Sequence, residues 1–378
     1  MNPLTAPLFQ PFDIRSLRLP NRTVMAPMGR LFAQAGAPHP DAAAYYSRRV
    51  TGEVGLIITE ATAVDHPLAS DYPGIPVMHG EPALSRWKDV VEAVHAKGGF
   101  IIPQLFHQGM LRGAGAADPT MPSLRPSGLV GDYGPNSYQP GVIEAAAKPT
   151  QPMTDEEIAD TISAFARSAA NAVALGFDGI AIHGAHGYLI DSFLWDASNR
   201  RTDQWGGDQR ERTAFAVEVF KAVRAVTPEH LPILFRFSQH KSHNYEASLV
   251  QTPDALESVV GPLADAGVDV FDASIRRFWQ PAFEGSDLNL AGWTKKITGR
   301  PVIAVGSVGL SNSASDTFMA KDGSQVDNVG LMMDRFNSGE FDLIAIGRSL
   351  IGDPDYVRKL RTGETALPFT RDALETLV

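Results

Sequence analysis

Eight short apolar runs rich in β-branched residues, separated by stretches of helical periodicity, constrain this chain more than any other feature. They fall at Val24–Met28, Gly55–Thr59, Phe100–Phe106, Gly179–His183, Ile233–Ser238, Val268–Ser274, Pro301–Ser307 and Leu343–Arg348. A strand that is apolar on both faces must be covered on both. Such strands alternating with amphipathic helices therefore imply a parallel sheet dressed in helices. Eight units favour one α/β domain over residues 1–378, folded as a single (β/α)8 TIM barrel, over an open doubly wound sheet. No Gly-x-Gly-x-x-Gly opens a helix after a strand, which weakens the dinucleotide-fold alternative, and no fixed short period suggests a solenoid.

The intervening helices have legible ends. Leu84, Trp87, Val91 and Val94 share one face, and Gly98-Gly99 stops that helix. Thr154 and Glu157 form a capping-box pattern ahead of Ile158, Ile162, Phe165, Ala169 and Ala172. Thr252-Pro253 and Asp353-Pro354 each read as an N-cap followed by proline, with Gly267 and Gly363 closing the corresponding helices. Ahead of the first strand, Phe9–Asn21 alternates apolar and polar residues around a polar turn, the pattern of a hairpin that plugs one end of the barrel.

Two segments break the rhythm. Residues 107–153, after the third strand, hold seven prolines and seven glycines without helical periodicity, which predicts an inserted loop or lid over the site. Ile275–Leu290 carries Phe278, Trp279 and Phe283, read as exposed aromatics forming a pocket wall.

Composition narrows the function. A formal net charge of -10 without a dense basic run argues against nucleic acid as partner. The absence of cysteine removes disulfides, thiolate metal sites and cysteine nucleophiles. The first residues do not read as a secretory signal, and no apolar run is long enough to cross a bilayer, so a cytoplasmic protein, monomer or homo-oligomer, is expected.

In barrels of this type chemistry gathers where the strands end. The ends here supply Ala26-Pro27-Met28-Gly29-Arg30, Glu60-Ala61, Gln104, His183 with His186, Arg236, Asp272, Gly306-Ser307 and Gly347-Arg348. Glycine amides and an arginine after strands seven and eight suit a phosphate, although Arg348 paired with Asp353 is the structural alternative. Arg236, closing an apolar strand, needs a partner: either a cofactor carbonyl or an ion pair inside the barrel. Gln104 poses the same question more weakly. His183, His186 and Tyr188 lie within six positions among glycines, where a core histidine, a surface-loop histidine and a packing tyrosine compete with a polar site. No strand end carries the lysine of a Schiff-base enzyme, and His-x-x-His lacks a third zinc ligand.

The motifs Ala26-Pro-Met-x-Arg30, Gln104-Leu-Phe-His-x-Gly109, Phe177-Asp-Gly-Ile-x-Ile-His183-x-Ala-His186-Gly-Tyr188 and Ser198-Asn-x-Arg-Thr-Asp203, with Gly347-Arg348, resemble the old yellow enzyme family of flavin-dependent ene reductases. The resemblance spans nearly the whole chain. It implies non-covalent FMN across the barrel mouth, with NADH or NADPH as reductant and electrophilic alkenes (enones, enals, nitroalkenes, maleimides, quinones) as substrates. Ala26, Pro27, Met28, Gly29 and Ala61 would line the ring system, Gln104 its pyrimidine edge, and Arg236 the N1 region. Gly306, Ser307, Gly347 and Arg348 would take the phosphate. His183 and His186 would clamp the substrate oxygen, with His183 also against the cofactor, and Tyr188 would deliver the proton. Gly29 departs from the family, whose members usually carry threonine or cysteine there, so a side chain that adjusts the flavin potential is missing. Ala181 stands where a carboxylate is common. A flavin barrel acting oxidatively on amines, with the aromatics around a cation, and a non-catalytic flavin-binding barrel are the competing readings.

Overall fold

The computed structural model describes residues 1–113, 122–134, 148–311 and 326–377. Strands β1 (Phe12–Ile14) and β2 (Leu17–Leu19) form an antiparallel hairpin. Eight more, β3 (Thr23–Met25), β4 (Leu56–Ala63), β5 (Ile101–Phe106), β6 (Ile180–His183), β7 (Ile233–Ser238), β8 (Val270–Ser274), β9 (Val302–Val305) and β10 (Leu343–Ile346), close a parallel barrel in which β10 pairs with both β9 and β3. The described helices are α1 (Ala42–Thr51), α2 (Ala83–His95), α3 (Asp155–Ala174), α4 (Leu189–Leu194), α5 (Ala214–Val226), α6 (Pro253–Ala266), α7 (Leu290–Thr298), α8 (Val329–Asn337), α9 (Arg348–Gly352) and α10 (Tyr356–Thr362).

The two-residue period of a strand sorts the barrel into an inside and an outside. Ile57, Ile101, Ile182, Phe235 and Ile344 turn outward into the core shared with the helices. Leu56, Ile58, Ile102, Ala181, Leu234 and Val270 turn inward and join Ile14, Leu17 and Leu19 of the hairpin in a separate apolar cluster. The hairpin is thus the plug expected from sequence. Each fully buried Leu or Ile contributes about 1.5–3 kcal/mol. Polar stitches lock the plug in place: Asp269 accepts from Arg15 Nε at 2.5 Å, from Arg224 Nη2 at 2.7 Å and from the Ile233 amide at 2.8 Å.

With the amino-terminal end filled, the same inward face can turn polar only at the carboxyl end. Two residues beyond Ile102, Ala181, Leu234 and Val270 lie Gln104, His183, Arg236 and Asp272. Ala181 itself belongs to the apolar plug layer, which is why alanine suits it. Register brings the polar residues alongside one another: Gln104 pairs with Ala61 and Ala181, His183 with Arg236, and Arg236 with Asp272.

Capping follows the sequence closely at α3, where Thr154 and Glu157 exchange both capping bonds, and at α6, where Thr252 caps and Gly267 ends the helix in a left-handed conformation. Asp353 departs from expectation. It ends α9, and Asp355 precedes α10, because the Asp353 carboxylate is drawn to Lys359 Nζ and the Leu367 amide, both at 2.7 Å. β4 also runs to Ala63, past the expected Thr59, through a register shift between Ile58 and Ala61. Of the expected excursion over 107–153, residues 114–121 and 135–147 lie outside the described residues. The described stretch 122–134 packs on the loop after β7, with His243 Nε2 3.2 Å from the Val130 carbonyl and the Gly134 amide donating to the His243 carbonyl at 2.9 Å. Among the described residues no helix is long and apolar enough to cross a membrane.

Candidate active site

His183 ends β6 on the inward face. The chain then turns through His186 and Gly187, whose φ values of 64° and 83° are left-handed. A non-glycine residue in that region needs support, and the surroundings supply it. The His186 amide donates to Ser238 Oγ at 2.9 Å, the Gly187 amide to Asp191 Oδ2 at 2.6 Å, and the His186 carbonyl accepts from the Ser242 amide at 3.0 Å. The turn returns Tyr188 toward His183. Their ring centroids are 5.0 Å apart, those of His183 and His186 5.3 Å, and Phe106 lies edge-on to Tyr188 at 4.6 Å.

Beneath this turn lies a buried ion pair. Lys241 Nζ donates to Asp191 Oδ1 at 2.7 Å, and both side chains are 0% exposed. Burial pushes the Asp191 carboxyl up and the Lys241 ammonium down, and each charge opposes the shift of the other. A lysine with no water around it requires such a partner. Lys241 also pairs through its backbone with His186, so the ion pair ties the loops after β6 and β7 together.

Arg236 resolves one of the two readings left open by its sequence. Its Nη1 donates to Asp272 Oδ2 at 2.5 Å and its Nη2 to Ser274 Oγ at 3.1 Å, so the ion pair inside the barrel exists. Burial first, and Arg236 second, depress His183 to about 3. His186 is also held well below the usual histidine range by burial, with His240 and Arg236 adding to the effect. Both imidazoles are therefore neutral at ordinary pH. His183 Nδ1 accepts the Ala185 amide at 3.3 Å, which leaves the proton on Nε2.

Gln104 is 2% exposed, and its Nε2 has no hydrogen-bond partner among the described residues. A buried carboxamide donor in that condition fits a ligand carbonyl. Ala26 is buried, Pro27, Met28 and Ala61 are half-buried, and Gly29 is exposed. The strand ends on either side converge: the Ala26 amide donates to the Ile346 carbonyl at 2.9 Å, and a Cβ on Gly347 would lie 3.2 Å from Met28 Sδ.

On the opposite rim, Ser307 holds a left-handed φ of 56° and donates its hydroxyl to the Arg276 carbonyl at 2.8 Å. A Cβ on Gly306 would stand 2.6 Å from the Ile275 carbonyl oxygen, so only glycine lets this loop approach the one after β8. Arg348 Nη2 donates to Ser307 Oγ at 3.4 Å, and Asp353 is engaged by Lys359 and Leu367, not by Arg348. The four residues expected at a phosphate thus share one corner of the mouth.

Other expectations need correction. Arg30 does not face the opening: its Nη2 donates to the Thr376 carbonyl at 2.6 Å and the Ala373 carbonyl at 3.0 Å, clasping the C-terminal segment. Glu60 accepts the Arg30 and Leu31 amides, and burial pushes its carboxyl up to about 7. Phe278 and Phe283 are buried and Trp279 half-buried, because the segment after β8 folds down to support Gly306; they form no exposed aromatic wall. Sequence reasoning passed over Ser274, Lys241, Asp191 and His240, whose ring lies 5.1 Å from that of His186. Period two from Asp272 was the available signal for Ser274; Lys241 and His240, in an irregular loop, carried none.

A closed barrel with a buried cation, an unsatisfied carboxamide donor, paired neutral histidines and a glycine-serine-arginine corner at one mouth defines a barrel enzyme built for an anionic cofactor. The NADH:flavin oxidoreductase / NADH oxidase family matches residues 7–366. 12-oxophytodienoate reductase 7 from Oryza sativa subsp. japonica is 31% identical, over 98% of this chain and 92% of the relative. Morphinone reductase in complex with tetrahydroNAD superposes with a TM-score of 0.78 at 25% identity, over 97% of this chain and 93% of that one. The old yellow enzyme homologue from Zymomonas mobilis shares the fold, with a TM-score of 0.78 at 24% identity over 98% and 96% of the two chains. The chain belongs to the NADH:flavin oxidoreductase / NADH oxidase family, the old yellow enzymes, and is an NAD(P)H-dependent enzyme that uses FMN.

The electrostatics make two predictions. Burial lowers His66, His107, His183, His186, His240 and His243, to about 3 for His183 and His240 and about 4 for His243. Their unfolded counterparts titrate near 6.5, so the unfolded state alone gains protons as pH falls through that value, and stability present above it is lost. Four carboxyls raised by burial work in the opposite sense, Glu60 gaining stability as pH falls from about 7 and Asp178, Asp191 and Asp272 also gaining as it falls, but they are four groups against six. Unfolding free energy from urea melts should drop by about 2 kcal/mol or more between pH 7 and 5; a flat profile would contradict neutral burial. Lys241→Met leaves Asp191 buried without its cation and should cost about 3–5 kcal/mol. Adding Asp191→Asn, which still accepts the Gly187 amide, should restore much of that loss in the same melts.

Proposed function

We propose that this enzyme reduces electron-poor carbon–carbon double bonds, with His183 and His186 holding the carbonyl or nitro oxygen of the alkene and Tyr188 supplying a proton. The observation that carries this reading is the pair of neutral imidazoles beside a tyrosine at the mouth of the barrel. Neutral imidazole N–H groups donate hydrogen bonds without adding charge, and two of them on one oxygen draw electron density from the conjugated double bond. The β-carbon becomes electrophilic. FMN held at this site would supply the hydride for that carbon, with NADH or NADPH as its source. Tyr188 then protonates the α-carbon, so the alkene gains one hydride and one proton overall.

The cofactor would be held by Ala26, Pro27, Met28, Gly29 and Ala61 along its ring system, Gln104 at its carbonyl edge, Arg236 beside the site of accumulating negative charge, and Gly306, Ser307, Gly347 and Arg348 at the phosphate. Arg236 keeps a fixed charge there because Asp272 and Ser274 orient it. His183 serves both sides, since it follows Ala181 on the inward face and borders Tyr188. We assign the described residues of the inserted segment, 107–113, 122–134 and 148–153, to the substrate side, within one barrel domain spanning 1–378. Names of relatives agree with this class: one is a 12-oxophytodienoate reductase, and another is a morphinone reductase whose structure holds tetrahydroNAD. The aromatic cage of an amine oxidant finds no support in the buried Phe278 and Phe283.

The test is anaerobic, alkene-dependent oxidation of NADH and NADPH across enones, nitroalkenes and maleimides. Replacing His183 and His186 together by alanine should abolish the enone-induced change in the flavin spectrum while FMN stays bound; a retained change would refute the clamp. Tyr188→Phe should slow alkene reduction at least about tenfold, the lower range for loss of a general acid, and leave reduction of the flavin by nicotinamide near its original rate. Equal effects on both half-reactions would assign the proton to another source.

A further inference from the structure

His186 meets the protein through one ring nitrogen: its Nε2 lies 2.8 Å from Ser274 Oγ. The same oxygen accepts Arg236 Nη2 at 3.1 Å. A guanidinium has no acceptor, so the direction of that second bond is certain. Ser274 is buried, and no other acceptor for its hydroxyl is found among the described residues. If His186 Nε2 carried the proton, two donors would converge on Ser274 Oγ and its own hydrogen would have no acceptor. If Nε2 is bare, both bonds at Ser274 are satisfied: Arg236 donates to Ser274, and Ser274 donates to His186. The charged donor also polarises the hydroxyl and strengthens its onward bond.

We propose that Ser274 is a positioning residue that fixes His186 as the Nδ1–H tautomer, with Arg236 setting the direction of the relay. The consequence rests on the alkene-clamp reading above. His183 is fixed the opposite way, with its proton on Nε2, because Nδ1 accepts the Ala185 amide. The two histidines then present unlike nitrogens as donors, and each has its other nitrogen occupied by the protein. A donor pair prepared in this way loses nothing to tautomer selection when the substrate oxygen arrives. The relay also joins the two halves of the site, since Arg236 is the residue assigned to the charge on reduced FMN.

The experiment uses the FMN-loaded enzyme labelled with 15N-histidine, with His186 resonances assigned by difference from His186→Gln. Long-range 1H–15N correlation at pH 7.5 should show a bare Nε2 and a protonated Nδ1 at His186. Ser274→Ala should move both nitrogens toward averaged values, while Ser274→Thr, which keeps the hydroxyl, should preserve the native pattern. A protonated Nε2 in the native enzyme, or an unchanged spectrum in Ser274→Ala, would overturn the relay. In parallel, binding of cyclohex-2-enone to the oxidised enzyme, read from flavin absorbance, should weaken roughly tenfold in Ser274→Ala, the equivalent of one modest hydrogen bond, and stay near native in Ser274→Thr. A tautomer change without an affinity change would leave the relay standing and remove His186 from the clamp. Should Ser274→Ala fail to fold, the native and threonine spectra still decide.

Discussion

A cation held inside the barrel is the constraint to which the rest of the site answers. Arg236 projects from the same face of β7 as Leu234, one step above the apolar layer that the N-terminal hairpin fills. Charge there is tolerable only with partners, and β8 supplies two on one face, Asp272 and Ser274. Once fixed, the guanidinium acts on its surroundings in two ways. It helps keep His183 and His186 neutral, and it orients the serine that meets His186. On the proposed reading, a donor pair toward the substrate and a positive charge toward the cofactor both follow from one buried residue and its neighbours.

The backbone beside it is equally constrained. His186 occupies a left-handed conformation that a side chain normally avoids, and Gly187 follows in kind. Local sequence alone does not stabilise such a turn. Its amides and carbonyl are taken by Ser238, Asp191 and Ser242, which come from the end of β7, from α4 and from the loop after β7. Asp191 could not remain buried as a charged acceptor without Lys241, so an ion pair sealed from water becomes part of what points an imidazole. Stability is the lesser use of such a pair, since isosteric apolar replacements often serve a core as well; specificity of geometry is the better explanation for keeping it.

Much of this was legible in the sequence because it follows from periodicity. The eight apolar runs became the eight barrel strands, the alternating start became the plug, and period two carried Gln104, His183, Arg236 and Asp272 to one opening. The capping signals at Thr154 and Thr252 are local and held for that reason. What escaped depends on contacts distant in the chain. Arg30 looked like a member of the mouth by its place after β3, yet the carbonyls of residues 373 and 376 capture it. Phe278 and Phe283 looked exposed because their segment lacks periodicity, and burial of an irregular loop has no period to read. Lys241 reads as solvent-facing in any sequence, and only the fold reveals that Asp191 waits for it.

The site also divides by kind of residue. On the side of β9 and β10, glycines and Ser307 bring backbone close, and a Cβ at Gly306 or Gly347 would collide with or crowd its neighbours; that corner works through main chain and one arginine. On the side of β6, β7 and β8, side chains carry the polarity, and nearly every one is oriented by another side chain behind it. Backbone cradles suit a group that is held unchanged, such as a phosphate. Side-chain donors with fixed protons suit a group whose charge changes during reaction, because their dipoles are already aimed before the charge develops. Under the proposed function, the asymmetry of the barrel mouth matches the asymmetry of the task, with holding at one edge and chemistry at the other, and Arg236 belongs to the second by virtue of the partners that keep it from relaxing.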